Sequence, residues 1–300
     1  MLFDTHCHIQ FKSFFEDRAE VIARCKEKGM VLNLVGTQIP TSQKAIELAE
    51  QYEWMYASVG IHPIQHDVVD VEEEDTSFRS RGEQFDEVLF EHMARHSKVI
   101  AIGETGLDKF HIAKDKTLEE IFAKQKKLFL QHWELSQKVN KPLVIHVRDA
   151  HEEMIELISN PDANRDEKSF LSLDLGKTKN NNWNDISGVI HCFTSNWTHA
   201  QQYLDMGLYL GFTGVITFPP KKTDPKSQEE LLEVIEKCPL DRMLVETDSP
   251  YLAPQKYRGT RSEPWMVEEV IAQIAEVKKM HIEEVERQIF ENSQRLFKIA

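Results

Sequence analysis

Along the chain, short runs of apolar and β-branched residues alternate with longer stretches in which apolar positions recur every three or four residues. The short runs fall at residues 2–8, 31–37, 55–61, 99–104, 142–147, 188–193, 208–213 and 243–248, which predicts eight strands. Their near-continuous apolar character marks strands covered on both faces, and the helix-length segments between them allow parallel crossovers. Eight such units predict an α/β fold of the closed TIM, or (β/α)8, barrel type. After the fourth strand the local signals agree closely. Thr117 and Glu120 make a capping box, Leu118, Ile121, Phe122, Leu128, Phe129, Leu135 and Val139 form an apolar stripe, and Pro142 stops the helix. Pro264 suits a first helical turn, and an additional C-terminal helix over about 282–297 is expected to pack beneath the barrel.

Two segments break this rhythm. Residues 66–82 hold the acidic run Glu72-Glu73-Glu74-Asp75, and residues 160–187 are polar and include Asn180-Asn181-Asn182. Both read as insertions, the acidic run as a solvated loop rather than a metal site. Without them about 255 residues remain, close to the ~250 of a plain barrel, so residues 1–300 are expected to form a single domain.

Composition narrows the class. The 300 residues include 36 Lys and Arg against 50 Asp and Glu, a formal charge of −14, and 41% are hydrophobic, enough to bury a core and exclude a disordered chain. The acidity argues against a broad, non-specific nucleic-acid surface, although cations held in one cleft can invert the local field. No run approaches the ~18 apolar residues of a membrane span and no basic segment precedes an apolar block near residue 1, so a soluble, cytoplasmic protein without a membrane partner is expected. Cys7, Cys25, Cys192 and Cys238 form no CxxC pair and read as packed thiols in a reducing compartment.

The candidate chemistry lies at the ends of the strands. Side chains alternate across a strand, so His6 and His8 share a face, about 6–7 Å apart along the chain, and can converge on one cation while Cys7 points away. Glu104 closes the fourth predicted strand, His146 and His191 lie late in the fifth and sixth, and Asp248 closes the eighth. All sit toward the barrel face where active sites gather, and such groups are costly to bury unless paired or bound to metal. Four imidazoles and two carboxylates suffice for two divalent ions, magnesium, manganese or zinc among them, if Glu104 bridges. The expected partition is His6, His8 and Asp248 on one ion and His146 and His191 on the other, with Asp248 also able to take a proton from the attacking water.

The blocks Asp4-Thr5-His6-Cys7-His8, Gly60-Ile61-His62-Pro63, Gly103-Glu104-Thr105-Gly106-Leu107-Asp108, Ile145-His146-Val147-Arg148-Asp149-Ala150, His191-Cys192-Phe193-Thr194 and Glu246-Thr247-Asp248-Ser249-Pro250-Tyr251-Leu252-Ala253-Pro254, taken in order, resemble the TatD family of metal-dependent deoxyribonucleases within the amidohydrolase superfamily. The resemblance extends to the C-terminal stretch at 290–297. It implies a TIM barrel with a metal centre of His6, His8, Glu104, His146, His191 and Asp248, and hydrolysis of DNA phosphodiesters, typically from a 3′ end. It also admits hydrolysis of an aminoacyl ester on tRNA. No lysine ends the fourth strand, so Glu104 stands where other superfamily members carry a carbamylated lysine. The chain departs from the family pattern at Ser262, where Asn is common, and at Ser195, where Gly is common.

Further residues carry two readings each. His62, just past the third strand, fits either a substrate contact or a structural turn. Arg148 shares a strand face with His146 and is expected to clamp a substrate phosphate. Asp4 and Glu246 lie deeper on the ligand faces and are expected to orient ligands or bond to backbone. Asp108 and Asp149 are expected to cap turns or helices. Lys221, Lys222, Arg258 and Arg261 fit a solvated surface or a basic rim for a nucleic-acid end, and Trp183, Trp197 and Phe218 fit the core or base stacking. A barrel whose site has decayed into a binding surface is the non-enzyme alternative, opposed by six filled ligand positions. The oligomeric state is not legible.

Overall fold

The computed structural model describes residues 1–66, 70–73, 76–79, 82–112, 116–161 and 186–299. Strands β1 (Phe3–Cys7), β2 (Val31–Val35) and β3 (Met55–Val59) are followed by a separate pair, β4 (Asp70–Glu73) and β5 (Thr76–Arg79). Then come β6 (Val99–Asp108), β7 (Leu143–Arg148), β8 (Gly188–His191), β9 (Tyr209–Phe212) and β10 (Met243–Val245). The parallel sheet has the order β1-β2-β3-β6-β7-β8-β9-β10. Its two edges meet where the Asp248 N–H donates to the His6 carbonyl at 2.9 Å and the His8 N–H to the Ser249 carbonyl at 2.8 Å. These bonds close the TIM barrel.

Helices α1 (Arg18–Glu27), α2 (Ile39–Ala49), α3 (Glu87–Ala94), α4 (Leu118–Val139), α5 (His151–Ser159), α6 (Trp197–Asp205), α7 (Lys226–Lys237), α8 (Val267–Lys278) and α9 (Ile282–Phe297) surround the strands. Buried Leu32, Leu34, Ala57, Val59, Leu143 and Ile145 contribute to the layer between sheet and helices, each larger side chain stabilising by roughly 1.5–3 kcal/mol. The Thr117 capping box forms, with its hydroxyl accepting the Glu120 N–H at 3.2 Å and the Glu120 carboxylate accepting the Thr117 N–H at 2.9 Å. At the other end Asn140 takes a left-handed conformation, two residues before Pro142.

The N-terminal end of the barrel is plugged. Phe3, Ile100, Val144, Val189, Tyr209 and Leu244, all at the first or second position of their strands, cluster with Leu296 and Phe297 of α9, and the Phe3 and Phe297 rings lie 5.7 Å apart. The additional C-terminal helix therefore sits beneath the barrel as its pattern predicts, leaving the opposite mouth for chemistry.

Three features differ from the sequence expectation. Strand β6 continues four residues beyond Glu104, because Thr105, Gly106, Leu107 and Asp108 keep pairing with Ile145–Arg148 after a register shift. Gly106 permits this: at φ +154° it passes so close to β7 that a Cβ there would lie 1.9 Å from the His146 carbonyl oxygen. Strand β10 stops at Val245, so Asp248 lies past the ladder, with φ +57°. Finally, the first insertion is not a plain loop. β4 and β5 pair antiparallel from Asp70 opposite Arg79 to Glu73 opposite Thr76, since two short strands satisfy each other's backbone groups despite the charge. Glu74, Asp75 and most of the second insertion, with Asn180-Asn181-Asn182 and Trp183, lie outside the described residues. Among the described residues no helix is long and apolar enough to cross a membrane, and all four cysteines are unpaired thiols.

Candidate metal centre

Parallel pairing brings the ends of β1, β3, β6, β7 and β8 and the segment after β10 around one point. His6 is fully buried and its ring stacks on that of His191, with centroids 3.6 Å apart. His6 Nε2 lies 3.2 Å from His8 Nε2, 3.4 Å from Glu104 Oε2 and 3.7 Å from Asp248 Oδ1. Asp248 Oδ1 is also 3.3 Å from His8 Nε2. The second Glu104 oxygen, Oε1, faces His146 Nδ1 at 3.0 Å, His62 Nε2 at 3.5 Å and His191 Nε2 at 3.8 Å. Among the described residues three donor groups result: His6, His8 and Asp248; His6, Glu104 and His191; His62, Glu104 and His146.

The imidazoles are oriented from behind. His8 Nδ1 donates to the Val35 carbonyl at 2.7 Å, which leaves its Nε2 lone pair turned to the centre. His191 Nδ1 lies 2.8 Å from Glu246 Oε1, and His146 Nε2 lies 3.2 Å from Asp108 Oδ2. Glu246 is held in turn by the Cys192 N–H at 2.5 Å. Asp4 ties down the segment carrying Asp248: it accepts the Thr247 N–H at 2.9 Å and the Thr247 hydroxyl at 2.6 Å.

Charge is distributed unevenly among these groups. Burial opposes ionisation of Glu104, but His62, His6 and His146 outweigh it and hold the carboxyl well below its usual range. Burial likewise opposes Asp248 and Asp108, which their histidine neighbours keep low. Burial pushes His62 down to about 3 and lowers His6, so both are neutral lone-pair donors. For His191 burial is outweighed by Glu246, Asp248 and Glu104, which raise it to about 10, and Asp108 and Glu104 raise His146 in the same way. A nitrogen lone pair 3.2 Å from another imidazole nitrogen, ringed by buried carboxylates, is a donor set that a divalent cation satisfies. Mixed imidazole and carboxylate ligands suit zinc, manganese, iron or nickel, and magnesium where water fills the remaining positions.

The six expected ligand residues are thus gathered at one place, with two differences. His146 and His191 fall in separate donor groups, although both face Glu104 Oε1, and their ring centroids are 6.4 Å apart. His62 joins Glu104 and His146, because β3 is the neighbour of β6 and the residues just past its end lie beside Glu104. Asp108 caps a turn as expected and also reaches the site. Its Oδ1 accepts the Phe110 and His111 N–H groups at 2.8 Å each, while Oδ2 reaches His146 and, at 2.9 Å, His111 Nδ1. The available signal was spacing, since Asp108 is four residues past Glu104 on the same strand.

The rim is mixed. Arg148 is half-buried and its guanidinium carbon lies 4.1 Å from the Phe110 ring centre. Asp149, at φ +54°, occupies the turn before α5. Arg261 does not stand free as a rim cation: it pairs with Asp17 at 2.8 and 2.6 Å, donates to the Ser13 carbonyl at 2.8 Å and covers the buried Phe14 ring. Asp17, the residue before α1, captures it, which strand order alone does not reveal. Trp197 packs against the core, Phe218 is covered by Arg258 at 4.5 Å, and Lys221 and Lys222 are exposed. Ser195 contacts His199 Nδ1 at 2.7 Å, and Ser262 is buried with its N–H donated to the Pro250 carbonyl at 3.0 Å.

Known proteins are similar to this chain in sequence and in fold. The family described as TatD related DNase matches residues 3–298. The uncharacterized metal-dependent hydrolase YabD of Bacillus subtilis is 36% identical over 300 residues, covering all of both chains. Its counterpart YcfH of Escherichia coli K12 is 31% identical over 303 residues, covering 99% of this chain and 96% of that one. Among solved structures, the TatD homolog YjjV of Escherichia coli K12 superposes with a TM-score of 0.75 at 23% identity, over 100% of this chain and 98% of that one. A TatD family hydrolase from Entamoeba histolytica gives 0.73 at 20% identity, over 98% and 97%. At those identities the structures speak for the fold.

Proposed function

The chain belongs to the TatD family of metal-dependent hydrolases, and from that premise and the geometry of Glu104 we propose that it hydrolyses DNA phosphodiester bonds, removing nucleotides from a 3′ end with two divalent ions. The observation that carries the two-ion reading is the division of labour within Glu104. Its Oε2 faces His6 and its Oε1 faces His146, His62 and His191, as a carboxylate shared between two cations would.

His6, His8 and Asp248 would hold one ion and His146 and His62 the other, with Glu104 between them and His191 beside it. Such ions supply a nucleophilic water near neutral pH and neutralise charge on the phosphoryl oxygens. Asp248, ionised at neutral pH and partly open to the mouth, accepts the proton of the attacking water. Asp108, Glu246 and the Val35 carbonyl keep three imidazoles in place. Arg148, half-buried at the end of β7, would bring positive charge toward a phosphate at the mouth. The plugged lower end of the barrel leaves the upper mouth as the route for a strand end.

The test is digestion of a single-stranded oligonucleotide carrying a label that reports loss of its 3′ end, by metal-stripped protein refilled with magnesium, manganese or zinc. Stepwise shortening that needs metal and vanishes in Asp248→Asn is the expected result. A fully metal-loaded protein that leaves the oligonucleotide intact overturns it and turns the search to acyl esters, starting with aminoacyl-tRNA.

A further inference from the structure

Phe110 is an exposed aromatic ring fixed at the edge of the metal centre. Among the described residues seven large hydrophobic side chains are exposed, and three of them, Phe110, Ile112 and Leu118, follow β6, the strand that carries Glu104. A single exposed apolar residue needs no explanation, but an exposed ring against a guanidinium beside the metal-centre strands has a geometry to account for.

Its backbone is anchored. The Phe110 N–H donates to Asp108 Oδ1 at 2.8 Å, and the other oxygen of that carboxylate lies 3.2 Å from His146 Nε2. The preceding Lys109 N–H donates to the Arg148 carbonyl at 2.9 Å. The ring itself has the Arg148 guanidinium carbon 4.1 Å from its centre and a perpendicular contact with His111 at 5.0 Å. With both neighbours in place, 56% of Phe110 remains exposed.

Other cation and ring pairs nearby lack this combination. Arg261 covers Phe14, which is fully buried. Arg18, 4.7 Å from Phe15, donates to the carbonyls of Ile9, Gln10 and Phe11 and so holds its own loop together. Only at Phe110, among these three, are the partners tied to strands that carry members of the metal centre: Phe110 follows β6, which holds Glu104, by two residues, and Arg148 ends β7, which holds His146.

We propose that Phe110, braced by Arg148, is the stacking platform for a nucleobase flanking the phosphate that is cut. Every base has a π face, so an exposed ring holds single-stranded DNA without reading its sequence, and an arginine against that ring places positive charge beside the same nucleotide's phosphate. This subsite rests on the DNA function proposed above. It would fix the terminal nucleotide in a protein whose overall charge repels nucleic acid.

The test compares wild type, Phe110→Ala and Phe110→Trp, all loaded with metal, on single-stranded oligonucleotides that are intact or abasic at either nucleotide flanking the 3′-terminal linkage. Stacking predicts that one abasic position raises the wild-type KM about tenfold. Phe110→Ala should show that rise on intact DNA and no further penalty on the abasic strand, and Phe110→Trp should restore the discrimination. An alanine variant with wild-type KM on intact DNA overturns the platform, as does a penalty that persists equally on abasic DNA. Wild type that cuts neither strand overturns the DNA function itself and the platform with it, an outcome distinguished by the inactivity of the unmodified enzyme.

Discussion

His132, buried in α4, accepts the Ile61 backbone N–H on Nε2 at 3.0 Å, one residue before His62. Because that nitrogen must accept, Nδ1 carries the proton and donates it to the Leu128 carbonyl at 2.8 Å. A neutral imidazole in a helix thereby fixes the loop that delivers His62 to Glu104. Burial pushes His132 down to about 4, although its bond to Leu128 opposes the shift.

This gives a signed pH dependence. Unfolded, the imidazole takes up a proton near pH 6.5; folded, it resists until about pH 4. Between those values the unfolded chain binds more protons, so stability present above pH 6.5 is lost as the pH falls toward 4, by roughly 3 kcal/mol for this residue. Urea unfolding at fixed metal concentration should show a shallower acid decline for His132→Gln, which keeps an acceptor for Ile61 and does not titrate. Parallel curves for the two proteins would remove His132 as the cause.

Glu104→Ala should lose both ions and turnover together, because its two oxygens serve opposite sides of the centre. The fall in turnover should exceed the roughly 10–100-fold typical of changes to residues that only orient ligands. Elemental analysis after mild purification, paired with the oligonucleotide assay, measures both; wild-type metal content with wild-type turnover would end the binuclear reading.

Asp4 should separate hydrogen bonding from charge. Burial raises its carboxyl well above the usual range, against the bonds from Thr247, so a neutral side chain of the same shape fits. Asp4→Asn can accept the Thr247 N–H and donate to its hydroxyl, whereas Asp4→Ala leaves a buried N–H unpaired and should cost about 3 kcal/mol. Thermal melting decides: equal losses in the two variants would mean that the negative charge itself is needed.

Arg261→Met should lower stability by about 1 kcal/mol and leave KM for DNA within about twofold of wild type, since its guanidinium is engaged by Asp17 and the Ser13 carbonyl. A tenfold rise in KM without loss of stability would return it to the substrate rim.

The order of elements was legible from the chain because each strand and helix writes its own period: the α4 capping box, the eight apolar runs and the C-terminal amphipathic stretch from Ile282 to Phe297 are local facts. So was the gathering of the candidate ligands, since barrel topology sends every strand's C-terminal end to one face and His6, His8, Glu104, His146, His191 and Asp248 all lie at or near such ends. What the chain could not express was who faces whom. His62 meets Glu104 because β3 adjoins β6, Asp108 meets His146 because β6 outlasts its apolar run by pairing with β7, and Arg261 meets Asp17 across 244 residues of sequence. Those meetings are set by sheet order, register and closure of the barrel, which depend on all the strands packing at once. Residue types therefore declared the chemistry available, and tertiary structure alone assigned each partner.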